Sequence, residues 1–448
     1  MSETLTLPPA IANLLRQLAG SAIISAAIQA AGIGLAFLTF VAISRATTPV
    51  AYGIFAAGFS LATIAGFAAT LGQHNAILRF WPAAEEVHGA AVAALVLRRC
   101  FLLLAAGTTI TIILLIGAHL AGLGETFFRT SEPVLVWAGI LAAAFALSEF
   151  SVSALRAQNR LVLALAPREI AWRVLVILAL AVLVTPVAAD LALAVVATAL
   201  CLTLIPQLAC LLQSTQKQPP AQIPGEQARE MKTAVPGLWG EAVIGALTAH
   251  TATIVVAFTL GPTAAGAFFA AERLARLLGI GMMGATRIAG PLMARSYAGG
   301  RNHEVRILTL AIGTGAFLIA AIGLLAYTVV GTHLLSLFDP TYSGAQHVLL
   351  ILGAGRALQM ACGPIGQVML MVGRDRAFLG IMTGWALAGI PGLFWASGTF
   401  GLVGAAVASA SMLIGINLSA CVVSSLASKA SSFRLIGPLS EGVENNAS

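Results

Sequence analysis

Apolar residues occur along this chain in long blocks, not in alternations of two or narrow helical stripes. A helix rises about 1.5 Å per residue and the hydrocarbon core of a bilayer is about 30 Å thick, so about 20 mostly apolar residues make one span. Twelve blocks meet that requirement: residues 21–44, 50–72, 99–119, 134–155, 170–188, 190–213, 236–260, 264–287, 307–330, 344–372, 378–397 and 401–425. Polar or helix-breaking residues divide them, among them Arg45 to Pro49, the stretch QHNAILRFWPAAEEVHG, Thr185-Pro186, Gly261-Pro262 and Asp339-Pro340. The narrowest divide is TPVAAD, between the fifth and sixth blocks. The pattern predicts an all-α polytopic membrane protein with about 12 transmembrane helices.

Composition strengthens this reading. The 448 residues are 59% hydrophobic and 9% charged, against about 25% charged in an ordinary soluble domain. The N-terminal stretch MSETLTLPPAIANLLRQLAG has one Arg and lacks the arrangement of a basic patch followed by a short apolar core and an Ala-x-Ala site, so the first block is expected to stay as an anchor and not to be cleaved. Cys100, Cys201, Cys210, Cys362 and Cys421 all lie within apolar blocks without metal-ligand spacing, and read as small apolar residues. No cofactor and no nucleic acid is expected.

The net charge of +7 matters through its distribution. With the N-terminus in the cytoplasm, the cytoplasmic loops collect Arg16, Arg79, Arg98, Arg99, Arg156, Arg160, Arg168, Arg173, Lys217, Arg229, Lys232, Arg287, Arg295, Arg301, Arg306, Arg374, Arg376, Lys429 and Arg434. The opposite side holds Arg45 and Arg129. That bias places both termini in the cytoplasm.

The chain is also doubled. TPVAYGIFAAGFSLA (48–62) aligns without gaps on GPTAAGAFFAAERLA (261–275), pairing Pro49 with Pro262, Gly53 with Gly266 and Phe55 with Phe268. ALRAQNR (154–160) answers LMVGRDR (370–376) at nearly the same offset. Between the halves lies QSTQKQPPAQIPGEQAREMKTAVPG, residues 213–237, a polar, Pro-rich stretch. The expected organisation is an N-terminal six-helix lobe (1–213), a cytoplasmic linker (214–235), a C-terminal six-helix lobe (236–428) and a cytoplasmic tail (429–448). Six is even, so both lobes start on the same side and the repeat is parallel. Such doubling is characteristic of secondary transporters that rock one lobe against the other.

Three charges stand out in AERLARLLGIGMMG, residues 271–284. Glu272, Arg273 and Arg276 fall within the eighth block, where a lipid-facing arginine costs about 2.5–3.5 kcal/mol. Two readings are open. Glu272 and Arg276, one turn apart, can neutralise each other. Alternatively, Arg273 and Arg276, about 60° apart round the helix, can point into a wet cleft and grip a diphosphate. Arg356, in GAGRALQMACGPIGQVML, is the next deep cation, facing either the cleft or Glu241. Glu241 and His250 are nine residues apart and so on opposite sides of one helix; either alone is a candidate coupling residue. Glu149, in ALSEFSVSALR, is a third, or a partner of Arg156 or Arg173. The G-x-G-x-x-G at Gly279, Gly281 and Gly284 lacks the preceding strand a dinucleotide site needs, and reads as helix packing or bending. Pro364 and Pro391 are expected kinks.

With these residues in view, the chain resembles the polysaccharide transporter family, the O-antigen and exopolysaccharide flippases. Their superfamily also holds the multidrug and toxin extrusion exporters and the peptidoglycan-precursor flippase. The resemblance rests on Pro49-x-x-Tyr52-Gly53-x-Phe55, Leu71-Gly72 and Ile77-Leu78-Arg79-Phe80 in the first lobe. AAERLARL, VMLMVGRDR and FGLVGAAVASA carry it in the second. It implies two lobes in a V in the bacterial inner membrane, turning a polyprenyl-diphosphate-linked oligosaccharide across by alternating access. Membrane lipids and the polysaccharide polymerase and chain-length machinery would be its partners. Arg273, Arg276, Glu272 and Arg356 are then the expected substrate-binding residues. The alternative is an ion-coupled multidrug exporter of the same fold, against which residues 21–84 carry no Asp or Glu. An enzyme is not expected: the outer loops, around 120–133 and 331–343, are short, and nothing resembles a catalytic triad or acid/base pair.

Overall fold

The computed structural model of the chain describes residues 9–128, 130, 132–215 and 222–431. Arg129, Lys217, Arg434 and most of the expected tail lie outside the described residues. Sixteen α-helices follow one another: α1 (Pro9–Ala46), α2 (Pro49–Ala69), α3 (Gln73–His88), α4 (Ala90–Leu120), α5 (Leu123–Phe128), α6 (Val134–Ala157), α7 (Leu161–Ala166), α8 (Trp172–Val182), α9 (Ala189–Thr215), α10 (Gly225–Leu260), α11 (Pro262–Leu277), α12 (Ile280–Ala298), α13 (Asn302–Phe338), α14 (Gln346–Ala361), α15 (Ile365–Met371) and α16 (Asp375–Ser431). One isolated bridge, Thr47 to Val187, ties the start of α2 to the α8–α9 turn.

The twelve expected spans map onto α1, α2, α4, α6, α7 with α8, α9, α10, α11 with α12, α13, α14 with α15, and the two halves of α16. Among the described residues nine stretches are long and apolar enough to cross a membrane, one of them Asp375–Ser425 of α16. That helix is broken only in its backbone, at Gly401 (φ 62°, ψ −146°), a conformation that glycine adopts freely. Apolar side chains such as Leu114 of α4 and Ile322, Leu325 and Val329 of α13 stand exposed, as a lipid-facing surface requires.

The fifth and eighth spans are each interrupted, and each interruption is repaired from another helix. Pro167 opens a single π-turn (Pro167–Ala171) between α7 and α8 and has no N–H to give the Leu163 carbonyl. Buried Gln207 of α9 supplies it, donating from Nε2 to Leu163 O (2.9 Å) and Ala164 O (3.1 Å). In the eighth span, tight bonds from Leu278 N to Ala275 O (3.2 Å) and Gly279 N to Arg276 O (3.1 Å) end α11. The Leu274 carbonyl, freed by that tightening, accepts the Tyr327 hydroxyl at 2.7 Å. In hydrocarbon an unmet carbonyl has no water to turn to.

Two expectations are corrected. The polar stretch after the second block is not an open break but the amphipathic helix α3, entered through Gly72 (φ 73°), with Ile77, Phe80 and Ala84 buried and Glu85 and Glu86 exposed. Residues 225–235 of the expected linker are helical, lengthening α10. Pro364 marks the break between α14 and α15, and Pro391 lies within α16.

Helices α1–α9 pack chiefly on one another, as do α10–α16, and the two sets meet where α2 lies against α10 and α11. The longer matched pair of the repeat, 48–62 and 261–275, sits at this seam. A Cβ on Gly53 would lie 1.7 Å from the Pro262 carbonyl oxygen, and one on Gly266 would lie 2.4 Å from the Tyr342 hydroxyl. Only glycine permits that approach. The Tyr342 hydroxyl donates to Pro49 O at 3.3 Å, and Arg45 donates from Nε to Leu337 O (2.6 Å) and from Nη2 to Ser336 O (2.7 Å). Rings of Phe40, Tyr52, Phe55, Phe59, Phe269 and Phe338 fill the space behind.

Candidate functional site

The break between α11 and α12 places the charged turn beside a cavity of about 470 Å³ in the C-terminal lobe. Glu272, Arg356, Gln359, Gln367, Ser409 and Asn417 give it a polar lining, set among apolar residues such as Met360 and Met382. The cavity draws walls from α10, α11, α12, α14, α15 and α16.

The geometry keeps the first reading of the charged turn and corrects the second: Glu272 and Arg276 pair, whereas Arg273 and Arg276 do not point together into the cavity, whose walls include Glu272 and Arg356 but neither of those two arginines. Glu272 Oε1 accepts from Arg276 Nε (3.0 Å) and Nη2 (2.6 Å), the one-turn pair that the spacing allows. Arg276 Nη2 also donates to Ala249 O of α10 at 2.9 Å. Glu272 Oε2 is buried without a hydrogen-bond partner. Arg273 does not follow Arg276. Its guanidinium lies over the rings of Phe269 (4.1 Å), Phe40 (4.7 Å) and Phe59 (5.7 Å), the last two from the other lobe. An arginine over ring faces gains cation–π attraction, yet its Nε and Nη2 remain buried without acceptors.

Arg356 is the third cation. It donates from Nη1 to Gln359 Oε1 at 3.0 Å, and forms no ion pair among the described residues. Glu241 does not reach it; that carboxylate lies on α10 within electrostatic range of Asp375. His250, on the opposite side of α10, is buried within range of Arg276, Arg273 and Arg356, with Nδ1 unpartnered. Three guanidinium groups thus surround one carboxylate, leaving the cluster with a clear positive excess.

The N-terminal lobe carries a different cluster, at the π-turn of the fifth span. Glu149 accepts from Arg168, not from Arg156 or Arg173 as the sequence suggested. Arg168 lies 3.9 Å from Glu169, which pairs with Arg173 at 3.1 Å. Gly32 of α1 makes room for Glu169, whose Cβ would be 2.9 Å from a Cβ there. Two cations face two anions, so this cluster is neutral overall. The sequence showed its charges but not their pairing, which depends on the π-turn. The polar wall formed by Gln359, Gln367, Ser409 and Asn417 was also missed. Its only trace is an amide or hydroxyl inside an apolar block, which is also what Gln207 shows in a purely structural role. Among the described residues no cluster of three or more His, Cys, Asp or Glu side chains is placed to hold a metal ion.

No family model matches the sequence and no curated protein is similar to it by sequence. Its backbone, however, is similar to several solved structures. A MATE transporter in complex with MaL6 superposes with a TM-score of 0.63 at 17% identity, over 93% of this chain and 96% of that one. An inward-facing multidrug resistance MATE family transporter of the MOP superfamily gives 0.60 at 15% identity, over the same shares. A MOP superfamily transporter from Pyrococcus furiosus, described as having a binding pocket of reversed polarity that suggests a different function, gives 0.61 at 17% identity, again over 93% and 96%. Across essentially its whole length, then, this chain of two matched helical bundles has the fold of the MATE transporters of the MOP superfamily.

Proposed function

We propose that the protein is a membrane transporter that moves a lipid with an anionic, diphosphate-type headgroup, carrying an oligosaccharide, from one leaflet to the other by alternating access. The observation that carries this reading is the positive excess of the cluster beside the C-terminal cavity: Arg356 in its wall, with Arg276 and Arg273 behind, against Glu272. An unpaired charge kept from water costs several kcal/mol unless a counter-charge arrives. A planar guanidinium suits phosphate oxygens, which it grips in pairs. A cationic drug would meet repulsion at the same place. Gln359, Gln367, Ser409 and Asn417 offer hydrogen-bond partners for sugar hydroxyls beside it.

In this reading both termini are cytoplasmic, the Arg45 seam closes the outer side of the bacterial inner membrane, and the headgroup enters from the cytoplasmic side. Polymerase and chain-length proteins would take up the delivered glycan. The test is glycan export by the full chain in proteoliposomes containing a polyprenyl-diphosphate oligosaccharide. Arg356→Ala should reduce export by about tenfold or more, the scale of one lost charged contact of about 1.5–3 kcal/mol. Wild-type vesicles that pump cationic dyes while leaving the lipid unmoved would establish the drug-export alternative instead.

A further inference from the structure

The two halves of α16 enclose a second space, of about 500 Å³, on the side away from the charged turn. Trp385, Gly389, Trp395, Phe400, Val407 and Met412 wall it, and it is almost wholly apolar. Trp395 is 65% exposed and Phe400 63%, so the mouth opens sideways toward the bilayer. Both ends are closed by contact between the halves. Near the Gly401 turn a Cβ on Gly404 would lie 2.1 Å from Ala396 O. At the other end Trp385 donates from Nε1 to Ser419 Oγ at 3.0 Å, and its ring lies where a Cβ on Gly415 would come within 2.3 Å. A slot closed at both ends and open sideways suits a hydrocarbon chain.

One side chain belongs to both spaces. Met412 lines the apolar slot and also the polar cavity that holds Glu272 and Arg356. It is buried between them, and a Cβ on Gly389 would lie 2.7 Å from its Sδ, so glycine leaves it room. Methionine is unbranched with three rotatable bonds, and re-packs more readily than a branched residue. A charged cavity and an apolar slot joined behind one flexible side chain match the two parts of a lipid: headgroup and tail.

We propose that the slot between the halves of α16 holds the isoprenoid tail of the transported lipid while its headgroup occupies the cavity, with Met412 as the movable partition between them. This rests on the anionic-lipid reading above and adds where the tail goes. The decisive measurement places the photo-crosslinker p-benzoylphenylalanine at position 407 (Val407→p-benzoylphenylalanine) in the full chain, in membranes holding radiolabelled polyprenyl diphosphate and phospholipid. The expected result is preferential labelling by the polyprenyl lipid, falling several-fold when Arg356→Ala is added. Labelling by phospholipid alone, unchanged by Arg356→Ala, would overturn the assignment. In export, Met412→Trp should lose about tenfold because the larger, stiffer ring blocks the passage between the two spaces, while Val329→Trp on the exposed face of α13 should export normally. If Arg356→Ala fails to export but Met412→Trp exports as wild type, the tail site falls and the anionic-lipid reading stands. If both export as wild type, both fall. Should Met412→Trp not fold, the crosslink at position 407 decides alone.

Discussion

Arg276 and Arg356 both lie within electrostatic range of Glu272, with very different commitments. Arg276 is held by Glu272 and by the Ala249 carbonyl, whereas Arg356 has a single side-chain amide for company. A phosphate oxygen therefore adds to Arg356 but has to displace a carboxylate at Arg276. Glu272→Gln removes that competitor, and the expected outcome is several-fold tighter retention of polyprenyl diphosphate with slower release. Binding and wash-out of the labelled lipid in nanodiscs measures both, and unchanged release would refute the displacement. The Glu272–Arg276 pair was legible in the sequence, because four-residue spacing on a helix fixes the geometry locally. Arg273 was not: its three ring neighbours include Phe40 and Phe59, brought to it by the meeting of the lobes. The expected shared direction of Arg273 and Arg276 held for the helix but not for the side chains.

Among the helices, the spans themselves were legible, since length and hydropathy are all that a bilayer demands of them. Their interruptions were legible only in part. Pro167 announces a missing donor, but nothing local says that Gln207 of α9 will replace it. Gln207→Leu should leave two carbonyls unmet, at about 1–3 kcal/mol for a buried unsatisfied group. A lowered thermal midpoint of the purified protein in detergent checks this. Tyr327→Phe acts on the single carbonyl of Leu274 and should cost less than Gln207→Leu. An equal or larger loss for Tyr327→Phe would contradict this division of labour. The amphipathic helix α3 escaped the span count because its polar face drew attention to the break, while Ile77, Phe80 and Ala84 bury its other face.

For the molecule as a whole, the longer of the two motif pairs that reveal the doubling is where the lobes touch, so the repeat was informative about contact. Gly53 and Gly266 occupy corresponding places: Gly53 admits the Pro262 carbonyl of the other lobe, and Gly266 admits the Tyr342 hydroxyl of its own, with Tyr52 of the other lobe 3.2 Å from where its Cβ would be. Gly53→Val would drive a branched side chain into the Pro262 carbonyl and hold the seam apart. The expected readout is faster maleimide labelling of a cysteine placed at position 55 than in the glycine-bearing parent; equal rates would refute it. Arg45→Ala should raise the same labelling several-fold by removing the two donations to Leu337 and Ser336. The acceptors of that clasp are peptide carbonyls, and the nearby Asp339 carboxylate is already engaged by Thr341, through its N–H at 2.9 Å and its hydroxyl at 2.6 Å. Both acceptors are main-chain groups, so the clasp makes no demand on the side chains that carry them. Ser336→Ala should therefore label at the parent's rate while Arg45→Ala does not, and the identity of one residue, not three, decides how firmly this edge of the seam is held.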